Sequence, residues 1–163
     1  MNSVVLQEEK IKILQQIPLF KNANEALLLA ISEILKEERY SDNTTIFNKG
    51  DIGTKFYILY KGKVKIHDEE FVFNKLESGS FFGEYALLDS DERSASVTTL
   101  TETQLLVLTK AELDKLVDRH PEITRMLIQV LTKRLRNHNE LQQKLTWSNQ
   151  VIAEQKTQIE KDK

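Results

Sequence analysis

The stretch FFGEYALLDSDERSASV, residues 81–97, decides how this chain is interpreted. Gly83 permits a tight backbone approach, and the letters EYALL that follow it are good helix formers, enough for a single helical turn. The polar letters DSDE then lead to Arg93, to small residues and to a β-prone segment. The amide groups at a helix N-terminus attract anions, and a guanidinium pairs with two phosphate oxygens at once. The stretch therefore predicts an anion site, and a purely structural loop is the other interpretation of these residues alone.

Short β-prone segments surround this stretch and are broken by turn signals such as KGD, KGK and ESGS. All five glycines of the chain lie among them, as expected for tight connections that need a positive φ. Many short strands at near-regular spacing predict a sandwich or barrel, so the fold class is mainly β with flanking helices. The predicted strands are Thr45–Phe47, Lys55–Tyr60, Lys63–His67, Glu70–Leu76, Ser96–Leu100 and Gln104–Leu108.

Helical patterns occupy both ends of the chain. At the start, Pro18 separates predicted helices over Val4–Ile17 and Asn24–Leu35, the second with Asn24 as its N-cap. After the strands, Thr109 and Glu112 form a capping-box pattern for a helix over Lys110–Arg119. From Pro121 onward no Gly or Pro interrupts the chain, which predicts one helix of roughly 40 residues and about 60 Å.

The composition excludes several classes of protein. There is no cysteine, so no disulfide, zinc-thiolate site or cysteine nucleophile exists, and the three histidines are too scattered for a cupin-type metal site. The formal net charge of −2 gives no general attraction to nucleic acid or to an anionic membrane. No run approaches about 18 apolar residues, and the start of the chain does not read as a signal peptide. We expect a cytoplasmic, non-enzymatic protein without a metal or cofactor and without direct nucleic-acid or membrane binding.

The order glycine, acid, helical turn, arginine and small residues resembles the phosphate-binding cassette of the cyclic-nucleotide-binding domain family. This is the domain of the catabolite activator protein and of the protein kinase A regulatory subunits. The segments FNKGD (47–51), YILYKGKV (57–64) and GSFFGE (79–84) support the resemblance. It implies a double-stranded β-helix, a jelly-roll-like β-roll with N-terminal helices and a long C-terminal helix, here without a helix-turn-helix domain.

The resemblance also implies roles for individual residues. Glu84 is expected to accept a hydrogen bond from the ribose 2′-hydroxyl, and Arg93 to pair with the cyclic phosphate. The ligand is expected to be cyclic AMP or cyclic GMP, with cyclic AMP favoured. The complete set of expected ligand-binding residues is Ile66, Phe73, Phe82, Gly83, Glu84, Tyr85, Ala86, Arg93, Ser94, Ala95, Arg134 and His138. In this set, Ile66 and Phe73 supply apolar wall, and Arg134 and His138 lie on the helical face that covers the base.

The chain is therefore expected to divide into residues 1–120, the cyclic-nucleotide-binding β-roll with its N-terminal helices, and residues 121–163, a helix for dimerisation and signalling. Steps of four and three along that helix give a coiled-coil seam with six apolar positions in ten. The seam is Leu127, Leu131, Arg134, His138, Leu141, Leu145, Ser148, Ile152, Gln155 and Ile159. We expect a homodimer joined along it.

The predicted function is a regulatory sensor that binds a cyclic nucleotide and relays the signal through its C-terminal helix. The charge-alternating residues 154–163 resemble signalling helices, so we expect a fused effector, a nucleotide cyclase or a kinase, in a longer protein. The alternative is a dimeric interaction module whose pocket binds no nucleotide.

Overall fold

The structure is a computed structural model that describes residues 4–85 and 92–161. Two helices come first, α1 over Gln7–Gln16 and α2 over Glu25–Ile34. The predicted cap of the second is confirmed, because Asn24 Oδ1 accepts a hydrogen bond of 2.8 Å from the amide of Leu27. Helix α1 begins three residues later than predicted, after Leu6 at its N-cap.

Eight strands follow in the described residues, and all their pairings are antiparallel. One sheet has the order β1-β8-β3-β6 and the other the order β2-β7-β4-β5. The two-sheet β-roll expected from the sequence is therefore confirmed. The strands are β1 Lys36–Tyr40, β2 Thr45–Phe47, β3 Lys55–Lys61, β4 Lys63–Asp68, β5 Phe71–Glu77, β6 Phe81–Phe82, β7 Ser96–Thr99 and β8 Thr103–Thr109.

Two strands were missing from the sequence prediction. Strand β1 reads KEERY and is half-buried to exposed, so it carries neither the β-branched residues nor the apolar alternation that mark a strand. It forms because the full length of β8 offers it an antiparallel partner, from Lys36 opposite Val107 to Tyr40 opposite Thr103. Strand β6 has two residues, too few for any periodicity to appear.

Strand β3 is buried on both faces and divides the core into two parts. Tyr57 and Leu59 point into an apolar cluster that also contains Val64 and Val97 from the other sheet. The alternate residue Phe56 is fully buried and makes an edge-to-face contact with Phe20, with ring centroids 6.3 Å apart. The strand therefore lies between the second sheet and the N-terminal helical segment, and this fixes the backbone on which the candidate site is built.

Two helices complete the chain, α3 over Lys110–Val117 and α4 over Glu122–Lys161. The predicted capping box is confirmed, because Thr109 Oγ1 accepts from the amide of Glu112 and the Glu112 carboxylate accepts from the amide of Thr109. The chain separates into two compact units, Met1–Thr124 and Arg125–Lys163. Within residues 4–85 and 92–161, no helix has the length and apolar character needed to cross a membrane.

Candidate anion site around Arg93

The expected anion-binding segment begins at the end of strand β6. Gly83 has a φ of 74°, a conformation that residues with a side chain rarely adopt, and it turns the chain out of the sheet. Glu84, which follows, is half-buried, and Tyr85 after it is exposed. The rest of the predicted helical turn, including Ala86, lies outside the described residues. The chain is described again at Glu92, which forms a β-bridge with Ile52.

The Arg93 side chain is buried, with 9% of its surface exposed. Its guanidinium donates two hydrogen bonds to main-chain oxygens, from Nη1 to Gly83 at 3.2 Å and from Nη2 to Lys55 at 2.7 Å. Its Cζ atom lies 4.1 Å from the ring centroid of Phe47, a cation–π contact. The guanidinium is therefore held in one orientation by carbonyls from β3 and from the predicted site segment.

The loop between β2 and β3 holds the backbone of Arg93. The Arg93 amide donates to the main-chain oxygen of Asp51, and the Gly50 amide donates to the main-chain oxygen of Arg93, both at 2.8 Å. Farther along, the Lys49 amide donates to Ser96 Oγ at 2.9 Å. These hydrogen bonds join the loop to residues 92–96. The FNKGD segment therefore supports the backbone of the arginine segment.

The guanidinium carries its charge in a poorly solvated place. Burial lowers the pKa of Arg93, while Tyr57, Glu84 and Asp51 act electrostatically in the opposite direction. Because an arginine titrates far above neutral pH, the group remains a cation. The pKa of Tyr57 is raised to about 12 by burial and by the charge of Glu38, although Arg93 opposes the shift. A buried cation of this kind gains most from an anionic partner, because screening by water is weak there.

The other described residues expected at the site on the β-roll differ in how deeply they are buried. Phe82 is buried and stacks on Tyr57, with ring centroids 5.0 Å apart, so its side chain belongs to the core. Ser94 is exposed and Ala95 half-buried, both directly after the arginine. Ile66 is half-buried on β4 and packs against the core cluster. Phe73, on the neighbouring strand β5, is 55% exposed and contacts Phe71 edge to face.

Arg134 and His138 both lie in helix α4, in the second compact unit. Their side chains lie outside the described part of the structure, so their expected contact with a base stays a prediction. Across the described residues, no group of three or more His, Cys, Asp or Glu side chains is arranged to hold a metal ion.

Three contributors to the site were missed at the sequence level. The carbonyl of Lys55 accepts from Arg93, but any residue at that position supplies a carbonyl, so its letter carries no signal. Phe47 lies against the guanidinium, and a phenylalanine in a strand otherwise predicts only core packing. Gly53 approaches the guanidinium closely although it lies forty positions before Arg93 in the sequence, beyond what local spacing can reveal.

Comparison with known proteins agrees with this architecture. The family model described as the cyclic nucleotide-binding domain matches residues 37–120. The cyclic AMP receptor protein of Thermus thermophilus is 35% identical over 125 residues, which are 73% of this chain and 57% of that protein. The cGMP-dependent protein kinase 2 of Mus musculus is 32% identical over 127 residues, 74% of this chain and 17% of that protein.

Solved structures show the same fold. The N-terminal domain of a transcriptional regulator from Streptomyces coelicolor superimposes with a TM-score of 0.73 at 28% identity, covering 78% of this chain and 92% of that one. With two antiparallel sheets, flanking helices and a buried arginine in the matched segment, the chain belongs to the cyclic nucleotide-binding domain family. It spans 30% and 59% of the length of two further relatives, a putative potassium channel protein and a transcriptional regulator.

Proposed function

We propose that the first compact unit binds a cyclic nucleoside monophosphate, with the phosphate at Arg93 and the ribose at Glu84. The observation that carries this proposal is the buried Arg93 guanidinium, held by the carbonyls of Gly83 and Lys55 within electrostatic range of Glu84. Two N–H groups of the planar guanidinium, called the fork below, donate to these carbonyls. The remaining N–H groups are donors for phosphate oxygens. Ser94 and Ala95 follow at once, and their size leaves space for a ligand.

The proposed ligand is cyclic AMP rather than cyclic GMP. Family membership supports a cyclic nucleotide, and relatives are named for both nucleotides, one as a cyclic AMP receptor protein and another as a cGMP-dependent protein kinase. The preference for adenine rests on the resemblance stated for the sequence. The proposed wall is Ile66 and Phe73, which lie on the adjacent strands β4 and β5.

We propose that the domain is regulatory, not catalytic, and that its signal passes along helix α4 in a homodimer. The described apolar side chains of α4 are largely exposed, among them Leu131 at 42% and Leu145 at 55%. A single helix of 40 residues in water is marginal unless it buries its apolar stripe. Pairing of two chains along the seam would bury it. A fused cyclase or kinase effector and a cytoplasmic location are predictions from the sequence.

Isothermal titration calorimetry tests the binding proposal directly. Cyclic AMP and cyclic GMP are titrated into the whole chain, with 5′-AMP as the ligand control that keeps the base but opens the phosphate ring. We expect saturable heat with cyclic AMP, weaker binding of cyclic GMP and much weaker binding of 5′-AMP. No heat with either cyclic nucleotide at millimolar concentration would overturn the proposal. It would favour the interaction module, since the exposed seam of α4 does not depend on the pocket.

A further inference from the structure

Gly53 differs from the other glycines of the β-roll. Gly50, Gly62, Gly79 and Gly83 all have positive φ values, between 74° and 101°, which residues with a side chain rarely adopt. Gly53 is not in that region, so its φ does not require a glycine. The expectation that all five glycines serve turns with positive φ is therefore wrong at Gly53. Another reason is needed for the glycine at this position.

The reason is that Gly53 lies against the Arg93 guanidinium, where a side chain would collide with it. A Cβ atom built on Gly53 would lie 2.8 Å from both Cζ and Nε of Arg93 and 3.1 Å from Nη1. An atom in the plane of the guanidinium would come closer to one nitrogen than to Cζ. Near-equal distances therefore place the added atom over the face of the fork. Ordinary van der Waals contact for such a pair begins near 3.4 Å, so the Arg93 side chain would have to move.

The position of the Arg93 guanidinium also depends on Gly83, but a substitution at Gly83 would have two effects at once. Gly83 has a φ of 74°, and an added Cβ would lie 2.7 Å from Arg93 Nη1 and 3.0 Å from the main-chain oxygen of Lys55. A substitution at Gly83 therefore strains the backbone and displaces the side chain together. At Gly53 the φ is not positive and the three atoms nearest to an added Cβ all belong to Arg93, which makes this glycine the cleaner probe.

We propose that Gly53 is a positioning residue for Arg93: its missing Cβ gives the guanidinium the space in which it reaches Lys55 and Gly83. The consequence for ligand binding rests on the proposed function. A Cβ at position 53 pushes the fork away from its carbonyl acceptors and so misdirects the N–H groups that remain for a phosphate. The end of an arginine side chain is flexible, so the chain still folds while the orientation of the fork is lost.

A double-mutant cycle tests this coupling. Gly53→Ala in the whole chain is expected to weaken cyclic AMP binding roughly tenfold, which corresponds to a coupling of about 1.4 kcal/mol between residues in contact. In an Arg93→Lys background, Gly53→Ala is expected to have little further effect, because lysine has no planar fork to displace. Gly79→Ala is the control for a general loss of stability, since its φ is 89° and the nearest atom to an added Cβ is Gln16 Oε1 at 3.7 Å.

A second measurement needs no nucleotide. In the ligand-free chain, the Arg93 Nε–Hε resonance in a ¹⁵N NMR spectrum is expected to shift and to exchange faster with water in Gly53→Ala, but not in Gly79→Ala. An unchanged Arg93 resonance would overturn the positioning role. An equal loss of affinity in the Arg93→Lys background would overturn it as well. If the wild-type chain binds no cyclic nucleotide, the proposed function fails, and the resonance still decides the role of Gly53.

Discussion

Arg93 Nη2 donates a hydrogen bond of 2.7 Å to the main-chain oxygen of Lys55, the first residue of strand β3. Lys55 pairs with Thr109 on β8, and Thr109 is the N-cap of helix α3. The neighbouring Lys110 amide donates to the main-chain oxygen of Thr54 at 2.9 Å. The guanidinium thus contacts the strand that also holds the start of the C-terminal helical segment. A ligand that moves Arg93 would act on a backbone that is hydrogen-bonded to that helix start.

The two properties of Arg93, its charge and its planar fork, can be separated by substitution. Arg93→Ala removes both and is expected to weaken cyclic AMP binding on the order of 10²-fold, because a poorly solvated phosphate loses a charged partner. Arg93→Lys keeps the charge and is expected to fall between alanine and wild type. Calorimetric titration measures both. Lys75→Ala, which removes an exposed cation from β5, is the control and should bind as the wild type does.

The Glu84 role can be tested by changing the ligand and the protein together. If the carboxylate accepts a hydrogen bond from the ribose 2′-hydroxyl, 2′-deoxy cyclic AMP should bind the wild type roughly tenfold more weakly. Glu84→Ala should lose a similar factor with cyclic AMP and little more with the deoxy ligand. Calorimetry provides all four affinities. Additive losses would show that the carboxylate and the hydroxyl do not meet.

A half-buried charge cluster beside the site, Glu38 with Lys55 and Tyr40, predicts a pH dependence of stability. Burial by itself raises the pKa of Glu38, but hydrogen bonds from Lys55 and Tyr40 and the charge of Lys55 outweigh it and leave the pKa lowered. The two bonds are both 2.6 Å. A lowered carboxyl pKa stabilises the fold above the unfolded-state value of about 4.3, and this contribution is lost as the pH falls through the folded-state value.

Glu38→Gln should therefore lower the free energy of unfolding by about 1 kcal/mol near neutral pH, a figure kept small because Lys55 is partly exposed. The difference from wild type should shrink as the pH falls below about 4. Urea titrations at a series of pH values measure it. Glu70→Gln, at an exposed turn position, is the matched control. A difference that stays constant with pH would contradict the assigned ion pair.

Much of this fold can be predicted from the sequence because its short strands are rich in β-branched and aromatic residues and glycine-containing turns separate them. The two helix caps at Asn24 and Thr109 are local, since each side chain bonds an amide three residues on, and both were predicted correctly. Strand β1 could not be predicted, because its pairing with β8 depends on residues more than sixty positions away. Helix caps depend on residues that are close in the sequence, whereas a charged strand such as β1 forms only when a distant partner strand is available.

In the candidate site, too, contacts between residues close in the sequence could be predicted, and contacts between distant residues could not. Gly83 and Arg93 were expected together, and the structure joins them through a hydrogen bond. The roles of Gly53 and of the Lys55 carbonyl depend on where β3 starts relative to the arginine, which is a property of the assembled sheet. The contact of Glu84 with a ligand is a prediction that the titrations above test, and the contacts of Ser94 and Ala95 stay predictions.

The hairpin turn between β4 and β5 contains a strained residue. Glu69 has a φ of 48°, a left-handed conformation that costs a residue with an ordinary side chain roughly 1 kcal/mol. Asparagine tolerates this conformation better, so Glu69→Asn should raise the free energy of unfolding by about 0.5 kcal/mol. Thermal or urea unfolding measures the change. Glu70→Asn, which has no positive φ, should give no gain, and an equal gain at both positions would point to charge as the cause.

The last prediction concerns the proposed pairing of helix α4. Leu145 lies on the seam and is 55% exposed in the single chain, so a partner helix would bury it. Leu145→Asp places a charge in that seam and should convert a dimer into a monomer, which sedimentation equilibrium detects. Gln143→Asp puts the same charge on the same helix but away from the seam, so it controls for helix propensity and should remain dimeric. A wild-type chain that sediments as a monomer would exclude pairing of two copies along α4, whatever the outcome of the nucleotide titrations.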